Sequence, residues 1–354
     1  METFRYHSVT ISITEDAEPF TSWLTAGNFS RYVLITDSNC YKLVWPLLKK
    51  KIRELKKAEL IVIKPGEKHK HLDTAQHIIK KLTKLAIDKH ALVINLGGGV
   101  VSDLGGFVAS IYKRGIHYVN IPTSFLAMVD AAIGSKTAVD FNTYKNCIGT
   151  IYHPKYVWIN TAFLNTLPFD EIMNGLAESF KHGLIDSQTH LDIVTEQFER
   201  LNLNLIIQQS VAFKCETVEQ DLYDVDRRHI LNLGHTTGHA IEALLLKRKY
   251  PVMHGMCVFY GLITALLISE KRYDFPKEKS NKIIQQIKRY CPILPLKKSD
   301  IKTIIRYMYN DKKNSDGEIR MVLLEDIGAP LWNIPVKASV IEDTLTATIE
   351  IMSA

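Results

Sequence analysis

The stretch "ALVINLGGGVVSDLGGFVASIY" (residues 91–112) constrains the fold more than any other. An apolar run too short for a helix ends in three glycines, and apolar residues at helical spacing follow. That is strand, glycine turn, helix. The same order recurs earlier in the chain. "YVLITD" (32–37) precedes a helical stretch reaching about residue 57. "AELIVIKPGEKHK" (58–70) closes a second strand on a Pro-Gly turn, and "LDTAQHIIKKLTKLAI" (72–87) has helical period. "HYVNIP" (117–122) reads as a further strand. Alternation of this kind predicts a parallel, doubly wound sheet.

From about residue 170 the pattern changes. Amphipathic segments cover 170–185, 189–221, 235–248, 256–271, 277–290 and 298–310, with few β-branched runs. At 354 residues the chain is too long for one ordinary core. The expectation is an α/β protein: an N-terminal doubly wound parallel-sheet domain over 1–165 and a C-terminal all-helical domain over 166–354.

Composition excludes several classes. The formal charge of +6 is modest, and the one lysine cluster, "LLKKKIRELKK" (47–57), reads as a solvated helix face. No basic patch is interleaved with aromatics, so no nucleic-acid partner is expected. The N-terminus has no secretory pattern, and the longest apolar run, "MCVFYGLITALLIS" (256–269), is too short for a membrane span. Cys40, Cys147, Cys215, Cys257 and Cys291 are scattered with no CxxC, which fits reduced thiols in a cytoplasmic protein.

Two segments carry chemistry. "NLGGGVVSDLGGF" is in the right context for a phosphate cradle, because glycines let backbone N–H groups approach an anion at a helix N-terminus. Its spacing departs from GxGxxG and does not identify the nucleotide. "RRHILNLGHTTGHAIEA" (227–243) places His235 and His239 four apart and Glu242 three further on, which on a helix share one face. That spacing suits either two metal ligands or one ligand and one acid/base group.

Seven blocks carry a resemblance: "GGGVVSDLGGFVAS", "YKRGIHYVNIPTS", "VDAAIGSKTAVD", "YKNCIGTIYHP", "NGLAESFKHGL", "LNLGHTTGHAIEA" and "MHGMCV". In order and spacing they are similar to the 3-dehydroquinate synthase family of sugar phosphate cyclases. The resemblance implies one zinc (cobalt is possible) held by Glu178, His235 and His254, with His239 beside it as a proton-transfer group. One carboxylate and two imidazoles leave coordination positions open, as catalytic zinc requires.

The resemblance further implies a sugar acid phosphate substrate, 3-deoxy-arabino-heptulosonate 7-phosphate. Arg228, with Asn232, falls where the family binds the substrate carboxylate, a task suited to a planar guanidinium. Lys136, Asn146, Lys181 and Arg114 fall at the phosphate positions, and Arg114 would reach the neighbouring site of a homodimer. Lys214, Asp130 and Lys312 (or Lys313) complete the set. A cyclase acting on glucose 6-phosphate would have no carboxylate to read, so Arg228, Asn232, Lys214 and His239 together favour the acid substrate. The alternatives are another sugar phosphate cyclase, of the amino-dehydroquinate or deoxyinosose synthase type, and a glycerol dehydrogenase-like enzyme on the same fold.

For NAD, the matched positions are Asp37, Asn39, Glu67, Lys70, Gly98, Gly99, Val100, Asp103, Thr123 and Ser124. Lys136, Lys145, Phe163, Thr166, Leu167 and Glu171 complete that set. Asp37 is expected on a ribose hydroxyl. The implied reaction is redox-neutral: hydride leaves C5 for NAD, phosphate is eliminated, hydride returns, and an intramolecular aldol closes the ring. Lys181 and His239 are the expected proton-transfer groups. The chain departs from the family's usual pattern at Met128, Ala131, Ala132, Ser135 (where a second glycine is usual), Asp224 and Met256.

Overall fold

A computed structural model describes residues 1–142, 144–196, 202–309 and 318–353. The strands are β1 (Glu2–Tyr6), β2 (Val9–Ile13), β3 (Tyr32–Asp37), β4 (Glu59–Ile63), β5 (Leu92–Gly97), β6 (His117–Pro122), β7 (Lys136–Phe141), β8 (Tyr144–Ile151), β9 (Tyr156–Ile159), β10 (Ile319–Asp326) and β11 (Ala329–Val336). The helices are α1 (Glu18–Ala26), α2 (Ser38–Leu43), α3 (Trp45–Lys51), α4 (Leu72–Lys84), α5 (Gly99–Ile111), α6 (Phe169–Asp186), α7 (Gln188–Thr195), α8 (Leu203–Gln220), α9 (His235–Lys247), α10 (His254–Tyr273), α11 (Lys277–Tyr290), α12 (Ile301–Tyr309) and α13 (Ala338–Ser353).

By its contacts the chain divides into two compact units: Met1–Pro168 with Ile207–Tyr223, and Phe169–Ile206 with Asp224–Ala354. The first holds a seven-stranded sheet of order β1-β2-β9-β6-β5-β3-β4. Every pairing from β2 to β4 is parallel, and only β1 runs antiparallel to its neighbour. This is the doubly wound sheet expected from the alternating pattern. The central strand β5, "LVINLG", is buried throughout, as a parallel strand covered on both faces must be.

Side-chain alternation sorts the strands' residues to two faces. Val33, Ile35 and Val93 pack with Ile78 and Leu82 of α4 and Leu104 and Val108 of α5. On α1, Phe20 stacks on Trp158 of β9 with ring centroids 5.2 Å apart. Helix α5 approaches the sheet very closely, since a Cβ on Gly105 would lie 1.9 Å from Asn95 Oδ1 on β5. The second glycine pair of the loop motif therefore serves helix–sheet contact.

The second unit is built on α10, which is buried along most of its length and packs on α6, α9, α11, α13 and β10. The expected helices are joined by two additions, the antiparallel hairpin β10–β11 and helix α13. The hairpin's strand β11, "APLWNIPV", mixes proline with half-buried positions, so no clean two-residue alternation marks it in the sequence. Among the described residues no helix is long and apolar enough to cross a membrane, and all five cysteines are free.

Candidate active site

Glu178 lies mid-way along α6, and His235 and His254 are the first residues of α9 and α10. Gly234 makes the placement of His235 possible. Its φ of +76 caps α9 in a conformation that disfavours side chains, and a Cβ there would lie 2.9 Å from Leu262 N. At α10, the Gly255 N–H donates to Asn174 Oδ1 (2.7 Å) and Asn174 Nδ2 donates to Glu171 Oε2 (3.2 Å), so α6 braces the turn that bears His254.

These three side chains converge. His235 Nε2 lies 3.3 Å and His254 Nε2 3.4 Å from Glu178 Oε1. That oxygen is buried and has no hydrogen-bond partner, a costly state unless something else satisfies it. Each imidazole is held by its other nitrogen: His235 Nδ1 is 3.2 Å from the Leu233 carbonyl and His254 Nδ1 is 3.2 Å from Glu242 Oε2. A ring whose Nδ1–H is given to a carbonyl or carboxylate presents Nε2 as a ligand, the usual support around a metal-binding histidine. The donor set fits a divalent cation such as zinc.

His239 completes a triangle of rings, 5.2 Å from His235 and 5.4 Å from His254 by centroid. Ligand nitrogens of His235, His239 and His254 all come within 4.8 Å of one another. His239 is exposed whereas Glu178 is buried. The α9 spacing thus holds both uses of the pair open, while the buried carboxylate supplies an oxygen that both His235 and His254 face.

Charge supports the same centre. Burial would raise the Glu178 carboxyl, but the Lys181 ammonium, ion-paired to its Oε2, and then His235 hold it well below the usual carboxylate range. Burial would lower His254, yet Glu178 and Glu242 push it up to about 10. A metal entering here displaces that proton. Burial keeps His235 below its ordinary value, so it is neutral and ready to coordinate.

Glu242 is the residue that the sequence reading left without a role. It sits seven residues after His235, two turns along α9, and that interval was the available signal. Glu242→Gln is expected to weaken zinc binding about 10- to 100-fold, the usual cost of losing such a partner. Titration with a competing chelator measures it, and an unchanged affinity would remove Glu242 from the site.

Arg228, nearly fully buried, and Asn232 lie on a short 3-10 turn, Arg227–Asn232, packed against α6 and the β10–β11 hairpin in the same unit. Asn232 Nδ2 donates to the His229 carbonyl (3.0 Å). Lys312 and Lys313 lie outside the described residues.

In the first unit, α5 opens at Gly99 after Gly98, with no side chain capping its N-terminus. A Cβ on Gly98 would lie 3.1 Å from Ser124 Oγ, and one on Gly99 3.2 Å from the Ala131 Cβ. A bare helix start lined by glycines suits a pyrophosphate, so these residues fit a dinucleotide. Val100 lies in this first turn. Asp37 Oδ1 accepts from the backbone N–H groups of Asn39 (2.8 Å) and Cys40 (3.1 Å), so one carboxylate oxygen caps α2. Thr123 Oγ1 lies 3.2 Å from Cys40 Sγ, which joins that corner to the loop after β6.

A charged network follows. Lys70 Nζ donates to Asp103 Oδ2 and Asn146 Oδ1, both at 2.5 Å, and Glu67 Oε1 lies 3.9 Å from Lys70 and from Lys145. Burial would lower the Lys70 ammonium, but Asp103 and Glu67 hold it above its ordinary value. Asp103→Asn leaves that ammonium buried without its closest carboxylate. The expected cost is about 3 kcal/mol of stability, read as a lower midpoint in urea unfolding of the apoprotein; an unshifted midpoint contradicts the pairing.

Lys214 of α8 is ion-paired to Asp130, and its Nζ also donates to the Asp130 carbonyl (2.8 Å). Lys136 opens β7. Arg114 is exposed, with φ +63 directly after Lys113 at +50. Phe163 and Thr166 lie in the 3-10 segment Thr161–Thr166, followed by Leu167.

Comparison with known proteins accords with this geometry. Residues 60–174 match the family model "3-dehydroquinate synthase N-terminal" and 175–314 match "3-dehydroquinate synthase C-terminal". The chain is 37% identical over 310 residues to a 3-dehydroquinate synthase of Parabacteroides distasonis, covering 86% of this chain and 88% of that one. Among solved structures it resembles a 2-deoxy-scyllo-inosose synthase complexed with carbaglucose-6-phosphate, NAD+ and Co2+ (TM-score 0.84, 24% identity, 98% and 99% of the two chains). It also resembles 2-epi-5-epi-valiolone synthase of Streptomyces hygroscopicus with NAD+ and Zn2+ bound (TM-score 0.84, 24% identity, 99% of each). At that identity the two structures speak for the fold. On the family models and the curated relative, the chain belongs to the 3-dehydroquinate synthase family.

Proposed function

We propose that this chain converts 3-deoxy-arabino-heptulosonate 7-phosphate to 3-dehydroquinate and phosphate, the ring-forming step of the shikimate pathway, with NAD and a divalent metal. The observation that carries the reading is the convergence of His235 Nε2 and His254 Nε2 on the buried Glu178 Oε1. The buried Arg228 of the same unit supports an acidic substrate.

Glu178, His235 and His254 would hold the metal, and Glu242 and the Leu233 carbonyl orient the two imidazoles. When bound, the metal supplies Lewis-acid polarisation of a substrate oxygen, and NAD supplies a reversible hydride acceptor. The remaining work belongs to the chain's own residues. Lys181 keeps Glu178 ionised. His239, exposed beside both ligand histidines, accepts and returns a substrate hydroxyl proton. Arg228 pairs with the carboxylate as a planar fork, with Asn232 beside it.

Lys136, Asn146 and Arg114 provide donors for the phosphate, and Lys214 with Asp130 serves the sugar hydroxyls. The glycine start of α5 receives the pyrophosphate of NAD, and Asp37 a ribose hydroxyl. Lys70, by gripping both Asp103 and Asn146, ties the helix that follows the glycine loop to a phosphate-binding residue. On this reading the enzyme is a cytoplasmic homodimer in which Arg114 completes the neighbouring site.

The test is phosphate release from the heptulosonate phosphate, with NAD and zinc, before and after chelation. Glucose 6-phosphate is run in parallel. Chelator-sensitive release from the acid substrate alone, without net NADH, is expected. Release from glucose 6-phosphate instead would reassign the substrate to a sugar without the carboxylate.

A further inference from the structure

Lys136 follows a turn of positive φ. Gly134 and Ser135 are both left-handed, with φ of +105 and +62. A serine there gives up backbone ease that a glycine would keep. What the serine gains is a set of bonds. Ser135 Oγ lies 2.6 Å from His153 Nδ1 and 3.3 Å from the Tyr6 hydroxyl. That hydroxyl accepts from the Gly134 N–H (3.0 Å), and the Ser135 carbonyl accepts from the Tyr152 N–H (2.8 Å).

The bonds have a consistent direction. With the phenol accepting from Gly134, its own proton can go to Ser135 Oγ and the serine proton to a neutral His153 Nδ1, an order that satisfies all three bonds. Burial, with His7 and Lys155 nearby, lowers His153 and keeps it neutral, while Glu219 pulls weakly the other way. Tyr6 and Ser135 are both buried. The turn is thereby clamped to β1 on one side and to the segment after β8 on the other.

We propose that Ser135 is a positioning residue: clamped by Tyr6 and His153, it fixes the turn from which Lys136 meets the substrate phosphate. This rests on the reading of Lys136 as a phosphate-binding cation. It also gives β1, a strand at the sheet edge, a part in substrate binding. A left-handed turn without side-chain anchors can pivot about its own dihedrals, and Lys136 would carry that freedom into the site.

The experiment measures KM and kcat for the heptulosonate phosphate with the full chain, NAD and zinc, together with thermal midpoints. Lys136→Ala tests the underlying reading. Ser135→Gly removes the two bonds made by the serine hydroxyl while relieving the backbone and leaving the backbone bonds to Tyr6 and Tyr152 in place, and Tyr6→Phe removes both bonds to the phenol. Both are expected to raise KM about five- to tenfold, the value of one hydrogen bond, with kcat within about twofold. Ser135→Gly should do so without lowering the thermal midpoint, which a folding defect could not imitate. The double variant should be no worse than the larger single effect, since the two residues act on one path. If Lys136→Ala raises KM while Ser135→Gly and Tyr6→Phe do not, the clamp is overturned and the lysine's role stands. If Lys136→Ala leaves KM unchanged, the lysine's role fails and the clamp with it.

Discussion

Glu178→Gln is expected to cost about a thousandfold in phosphate release, with zinc binding lost in parallel. The substitution keeps shape and volume but removes the charge and one donor oxygen from a site in which two imidazoles already face that oxygen at 3.3 and 3.4 Å. It also strands Lys181, whose buried ammonium is ion-paired to the same carboxylate. A buried charge without its partner is expensive, so the variant should lose stability as well. Several kcal/mol of Lewis-acid stabilisation correspond to about three powers of ten in rate. The measurement pairs single-turnover phosphate release with metal content by atomic absorption. Full zinc occupancy with full activity in Glu178→Gln would remove the carboxylate from the ligand set and return His239 to it.

Arg228→Ala should lower kcat/KM for the heptulosonate phosphate on the order of a hundredfold, from loss of a charge-assisted, two-point contact worth about 3 kcal/mol. Most of the loss belongs in KM, because the carboxylate is present in ground state and transition state alike. Zinc and NAD affinities should not move. A substrate analogue lacking the carboxylate provides the control: wild type and variant should treat it equally. A variant that loses activity equally on both substrates would mean that Arg228 acts by supporting its 3-10 turn and does not read the acid. Arg228→Lys should recover only part of the loss, since an ammonium cannot offer the paired N–H groups of a guanidinium.

Much of the fold was open to inspection in the chain itself. The run "YVLITD" became β3 over the same residues, and α4 buries Ala75, Ile78 and Leu82 at the spacing that predicted it. Local pattern succeeds there because each element spends its apolar residues on one face or is apolar throughout. The β10–β11 hairpin and the terminal helix α13 were missed for the opposite reason. Strand β11 contains two prolines and no regular alternation, and α13, rich in threonine and β-branched residues, reads poorly as a helix on propensity. Tertiary packing on α10 holds α13 in place.

The site divides in the same way. The residue types, the His235–His239 interval and the glycine loop belong to the sequence, since covalent spacing along one helix or one turn determines them. Which atoms meet does not. His254 reaches Glu178 only because α10 packs on α6, and Lys214 reaches Asp130 only because Ile207–Tyr223 groups with the first unit. Glu242 meets a histidine twelve residues away on another helix. Short-range periodicity carries information over one or two turns, whereas an unsatisfied oxygen and the two nitrogens that face it exist only once three helices have been brought together.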